Sequence, residues 1–173
     1  VIKSFCLLLL LTIVAASSAA QLAWQDFAPK DGSFTVLLPG KPTEHKKSIK
    51  QDSGMVEVLL FEVAVPPGDS KFVVGYSEFP EASIKPGTED KRLDNAQGGA
   101  VASVKGKLVR QKILLLDTYP GRELLIKIDG KSMVMMRLYA VKNRLYQLVV
   151  VGSEELVTGR DAEKFLMSFK LAR

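Results

Sequence analysis

The run LVRQKILLLDTYPGRELLIKIDGKSMVMMRLYAVKNRLYQLVVV, residues 108–151, decides the fold. Apolar and β-branched residues dominate it, and turn-forming pairs interrupt it at regular intervals, the pattern of successive antiparallel hairpins. The reading is four strands, over 108–119, 122–129, 132–142 and 145–151. The turns fall at Pro120-Gly121, Asp129-Gly130 and Lys142-Asn143. Asp-Gly between two strand patterns is a strong hairpin signal, and Lys-Asn is compatible with one. In the second strand Leu124, Ile126 and Ile128 share a face while Glu123, Lys127 and Asp129 share the other. That alternation predicts a sheet with one side in the core and one side wet or lightly covered.

Upstream of this run the period changes to that of a helix. Thr88 stands where an N-cap belongs, with Glu89 and Asp90 in the first turn. Leu93, Ala96, Ala100, Val101 and Val104 then recur on one helical face, and Gly106 reads as the stop. Gly98-Gly99 costs about 1 kcal/mol per glycine relative to alanine, which predicts close packing on a sheet. Before the helix come strand patterns over 34–38, 55–65 and 71–79, punctuated by Pro39-Gly40, Asp52-Ser53-Gly54 and Pro66-Pro67-Gly68-Asp69. Residues 44–51 form a polar segment at an edge. Downstream, Thr158 and Asp161 have capping-box spacing, and Ala162, Phe165, Leu166 and Phe169 make the apolar stripe of a last helix. The expected class is α+β: an antiparallel sheet of six or seven strands, a helix inserted between its two strand groups, and a C-terminal helix.

The chain has 173 residues, of which 47% are hydrophobic and 25% charged, with a net charge of +5. This suits one globular domain, and excludes a disordered tail or a disulfide-stapled miniprotein. Residues 1–20 stand apart from it. Lys3 precedes an apolar run that includes Leu7 to Leu11, and the segment closes on small residues up to Ala20, the order of a secretory signal peptide. Cleavage is expected after Ala20, leaving 21–173 as a single domain exported to the periplasm or the medium. The alternative is an uncleaved anchor, since no charge occurs between Lys3 and Asp26. Cys6, the only cysteine, leaves with the leader, so no disulfide or thiolate chemistry is expected of the mature domain.

Several stretches taken together resemble the PsbP-like group of exported bacterial proteins. These are Trp24 and Phe27 ahead of Asp31-Gly32-Ser33-Phe34-Thr35-Val36, the close Leu38-Pro39-Gly40-Lys41-Pro42, Tyr119-Pro120-Gly121-Arg122-Glu123, Asn143-Arg144-Leu145-Tyr146-Gln147 and Phe165-Leu166-Met167-Ser168-Phe169. The resemblance implies an α/β/α sandwich around an antiparallel sheet and a non-enzymatic accessory or binding role. Photosynthetic members of the group dock on a membrane complex in the thylakoid lumen. Many other members have no known activity, and the resemblance transfers no functional residue here.

The residues themselves offer few constellations for chemistry. There is no Gly-rich phosphate loop, HExxH, GxSxG or paired-carboxylate motif, and neither a cofactor nor a metal is implied. His45, the one histidine, sits among lysines and reads as solvated rather than as part of a triad. Lys41, Lys46, Lys47 and Lys50 are candidates for an anion or membrane-surface contact. The favoured reading is an edge strand guarded by charge. Arg122, Arg137 and Tyr139 alternate on neighbouring strands and are candidates to line one ligand or anion pocket, with an ordinary hydrogen-bonded support as the favoured reading. Met133, Met135 and Met136 read as core rather than as an adaptable binding surface. Nucleic acid is not an expected partner. The function expected is an exported domain that docks on a protein partner or a small ligand. A hydrolase or transferase built on carboxylates with Arg122 and Arg137, and a membrane-tethered accessory protein, are the alternatives.

Overall fold

The computed structural model describes residues 22–51, 54–66, 68–128, 130 and 132–172. The leader and Cys6 lie outside the described residues. Ten strands and three α-helices follow in order: β1 (Gln25–Phe27), β2 (Phe34–Leu38), β3 (Thr43–Gln51), β4 (Gly54–Ala64), β5 (Lys71–Glu78), α1 (Glu89–Ser103), β6 (Lys107–Leu116), β7 (Tyr119–Lys127), β8 (Ser132–Val141), β9 (Arg144–Ser153), α2 (Glu154–Thr158), α3 (Arg160–Ser168) and β10 (Lys170–Leu171).

Seven of the strands form one antiparallel sheet in the order β3-β4-β5-β9-β8-β7-β6. Each strand group is a meander, and the two groups join where β5 pairs with β9, from Lys71 opposite Val151 to Glu78 opposite Arg144. The polar segment 43–51 is the edge strand β3. By contrast β2, read from sequence beside the other strands, belongs to a separate small sheet, β1-β2-β10.

Both faces of the large sheet are covered. On one face α1 lays Leu93, Ala96, Ala100, Val101 and Val104 over Leu124, Ile126, Val134, Leu138 and Ala140. On the other, the small sheet and α3 close a larger core around Phe34, Phe72, Tyr146, Phe165 and Phe169. The rings interlock there: Phe34 and Phe169 are 5.3 Å apart, and Phe72 meets Phe165 edge-on at 5.4 Å. The expectation of a lightly covered side is therefore corrected. Leu125, on the Glu123 side of β7, is buried in the aromatic core. Met133 and Met135 are buried in that same core, and Met136 packs on the α1 side.

Local chemistry corrects several other expectations. The β6–β7 turn is Asp117-Thr118, with Asp117 at φ 54°, and Pro120-Gly121 lies inside β7. Gly121 is there because a side chain would drive into the Tyr139 ring and come within 2.6 Å of the Leu138 carbonyl. Thr88 occupies the N-cap position, but its hydroxyl donates to the Lys85 carbonyl and caps nothing. At the other end of α1, Lys105 carries the left-handed conformation, and the Gly106 N–H closes on the Val101 carbonyl. Gly98 and Gly99 face open space and touch no sheet. The C-terminal helical region is broken at Gly159. Thr158 ends α2 and donates to the Glu154 carbonyl, while the side-chain cap is Ser153, accepting from the Leu156 N–H.

Candidate functional site

At one end of the sandwich the Lys142-Asn143 turn brings β9 back beside β5, and Arg144 enters directly opposite Glu78. Lys142 takes φ 51°, as a two-residue hairpin turn requires. Asn143 is tied down by exchange with Phe79: its carbonyl accepts the Phe79 N–H at 2.9 Å, and its Nδ2 donates to the Phe79 carbonyl at 3.2 Å. This rigid corner aims the Arg144 guanidinium at two carboxylates. Nε donates to Glu78 at 2.6 Å and Nη1 to Asp31 at 2.9 Å, while Cζ lies 4.1 Å from the centre of the Tyr76 ring. The Tyr76 hydroxyl donates to Asp31 at 2.8 Å.

The electrostatics follow from this packing. Burial alone raises the Asp31 carboxyl, but bonds from Tyr76, Ser33 and Arg144 outweigh it and hold the group below the usual value of 3.8. The Tyr76 phenol is pushed up by burial and by its bond to the Asp31 carboxylate. Burial opposes the Arg144 charge, yet hydrogen bonds to Tyr146 and Glu78 more than restore it, so its pKa is raised. At neutral pH the Asp31 carboxylate and the Arg144 guanidinium are thus held as opposite charges beside a neutral phenol.

In front of it opens a cleft of about 860 Å³. Tyr119, half-buried, supplies aromatic surface with Tyr146 and Phe169 buried behind it, and Leu116 and Met167 add apolar wall. The charged lining includes Glu81, Asp117, Lys142 and Lys170, two of each sign. The wall is more polar than apolar, so the cleft suits a ligand that carries charged or hydrogen-bonding groups beside an apolar part. Among the described residues no three His, Cys, Asp or Glu side chains gather as a metal-ligand set.

No family model matches this chain, and neither does any curated protein. A solved structure does: cyanobacterial PsbP (CyanoP) from Synechocystis aligns over 92% of this chain and 99% of its own, with a TM-score of 0.58 at 10% identity. The fold is PsbP-like. At this identity the likeness to PsbP is one of chain path.

Within the PsbP-like frame the sequence candidates separate. Arg122 pairs with Leu138 in register and points toward α1, where it binds Asp94, approaches Asp90 at 3.8 Å and donates to Gln97 at 3.3 Å. Arg137 projects from the opposite face, against Glu123 at 2.8 Å, and donates to the Leu166 carbonyl at 3.2 Å. Tyr139 shares the Arg137 face but is buried, its ring parallel to Phe169. Burial raises its phenol pKa, against the pull of Arg137. One pocket lined by all three residues is thus ruled out by strand alternation. Arg122 anchors α1, and Arg137 clamps the end of α3, from which Met167 reaches the cleft.

The four lysines do not gather either. Lys41 precedes β3, Lys46 and Lys50 lie on one face of it, and Lys47 lies on the other. Glu57 approaches Lys46 at 4.0 Å and binds Ser48, so the strand is guarded by mixed charge. His45 is exposed opposite Leu60. The residues that sequence reasoning missed, Asp31, Tyr76, Glu78 and Arg144, come from three distant segments. Their only sequence signal was two turn motifs, Asp31-Gly32 and Asn143-Arg144.

Proposed function

We propose that this chain is an exported, non-enzymatic accessory domain that binds an amphipathic ligand, either a small molecule or a protruding segment of a partner protein, in the end cleft. The observation that carries the reading is a cleft in which Tyr119, Leu116 and Met167 stand beside a rim of balanced charge. Such a cleft receives an apolar body, and the balanced rim orients polar ends without demanding one sign. The PsbP-like chain path agrees with an accessory role.

The carboxylates beside the cleft favour binding over the hydrolase alternative. A general acid needs a raised pKa, whereas Asp31 is lowered and both it and Glu78 are held on one guanidinium. Export rests on the leader sequence, and the membrane-tethered alternative rests on its retention. Among the described residues no helix is long and apolar enough to cross a membrane. Mass spectrometry of the protein recovered from an exporting host should place the mature N-terminus at Gln21, and an intact leader would support the tether instead.

The test of binding is a pull-down from the cell envelope and culture medium, with bound small molecules identified by mass spectrometry. Wild-type protein should retain a ligand or partner that a Tyr119→Asp variant loses at least ten-fold. No specific capture by the wild type, or equal capture by the variant, would sink the reading.

A further inference from the structure

The large sheet ends in two edges of opposite character. β3 is lined with Lys46, Lys47, Lys50 and Glu44, the usual defence against edge-to-edge pairing. At the other edge β6 leaves Ile113 78% and Leu115 73% exposed, with Val109 54% exposed at a bulge. No described strand pairs with its outer side.

The register fixes what that side offers. The two-residue turn makes Leu116 and Tyr119 the closing hydrogen-bonded pair, so alternate residues back along β6 turn their N–H and C=O groups outward. These are Leu115, Ile113 and Gln111. Their side chains lie on the α1 face, while Arg110 and Lys112 lie on the other face together with Glu123. Within Lys107–Leu116 there are three cations and no carboxylate. The nearby Glu123 is already held by Arg137 at 2.8 Å and lies 3.6 Å from Arg110.

We infer that the outer edge of β6 is a docking strand for an extended partner segment with alternating apolar and acidic side chains. The segment pairs along Gln111 to Leu115 and adds an eighth strand to the sheet. Its apolar residues lie beside Ile113 and Leu115 on the α1 face, and its carboxylates meet Arg110 and Lys112 on the other. A second copy of this chain is a poorer occupant. Full-length antiparallel self-pairing, centred on Gln111 or Lys112, sets Arg110 opposite Lys112 or Lys112 opposite itself, and like charges directly opposite are destabilising. This inference does not depend on the end cleft.

The probe is a labelled seven-residue peptide of alternating valine and glutamate, with a valine–lysine peptide as its counterpart. At low salt the glutamate peptide should bind at least ten-fold tighter than the lysine peptide. It should also slow amide hydrogen exchange at Gln111, Ile113 and Leu115. The exposed double substitution Ile113→Ser/Leu115→Ser, which adds no charge, should weaken it ten-fold or more with an unchanged unfolding midpoint. Lys112→Glu, which leaves the apolar face intact, should shift preference toward the lysine peptide. Equal binding of the two peptides, protection at β3, or no protection at β6 overturns the inference. So does β6 protection that rises with protein concentration without peptide, which would assign the edge to a second copy. Protection by anionic lipid vesicles but not by peptide would assign it to a membrane surface, and overturns it too.

Discussion

Glu123 and Arg137 face each other across β7 and β8 with side chains only 12% and 15% exposed. Arg122 on the other face is as deep, but its partner Asp94 is 63% exposed. Breaking a pair costs most when the charge left behind loses its only carboxylate: without Glu123, Arg137 keeps only the Leu166 carbonyl and the Met167 sulfur, whereas without Asp94, Arg122 keeps Asp90 and Gln97. Glu123→Gln should therefore destabilise by about 3 kcal/mol and Asp94→Asn by less than about 1 kcal/mol, as measured by urea denaturation. Equal losses would refute this difference in the partners that remain. Asp31 supplies a pH test. Its folded pKa lies below 3.8, so its contribution is present at neutral pH and is lost as the pH falls through the folded value. Asp31→Asn should cost about 1 kcal/mol at pH 7, the worth of a partly exposed charge-assisted bond. The wild-type and variant stabilities should converge below about pH 4, near the ordinary carboxylate pKa. A gap that persists at pH 2 would show that packing, not charge, is responsible.

At the scale of the element, α1 is a continuous helix through two glycines, and a methyl group added at either would meet nothing within 4 Å. Gly98→Ala and Gly99→Ala should each raise stability by about 0.5–1 kcal/mol. Gly121→Ala, in β7 beneath Tyr139, should lower stability and broaden or reduce the unfolding transition. Thermal melts of the three variants check this, and a destabilised Gly98→Ala would show that the helix face is covered. The same glycines show what is legible in sequence. The apolar stripe Leu93 to Val104 and the Asp-Gly and Lys-Asn hairpin signals are local, and they locate α1 and the C-terminal meander. Gly121 misleads because Pro-Gly is a turn signal in isolation, whereas here a ring from the neighbouring strand explains it. Arg122 and Arg137 stand out in the sequence as supports or ligands, but which face each occupies depends on the β7–β8 register, in which Lys127 lies opposite Met133 and Arg122 opposite Leu138. The Asp31–Arg144 contact joins residues 113 apart and leaves no local trace.

For the whole molecule, the contrast between its two sheet edges has consequences for solubility. Replacing Lys46, Lys47 and Lys50 together by valine removes the charge from β3, and should make the protein aggregate with time at about 37 °C while its fold is retained at low concentration. Light scattering beside circular dichroism separates the two effects. A triple variant that stays monodisperse would show that β3 needs no guarding. The class, the strand groups and the inserted helix are all legible because each arises from a local hydrophobic period. The sheet order is not, since nothing in β2 announces that it leaves the large sheet to pair with β1 and β10.

That last pairing has a consequence in time. Thr35 lies opposite Lys170, and Phe34 packs its ring on Phe169, so the earliest buried strand is completed by residues some 135 positions later. β5 likewise waits for β9. While the chain is being made, each meander can form from neighbours, but the aromatic core stays open until residues 165–171 have emerged. Until that segment emerges the fold is unfinished and the chain stays threadable.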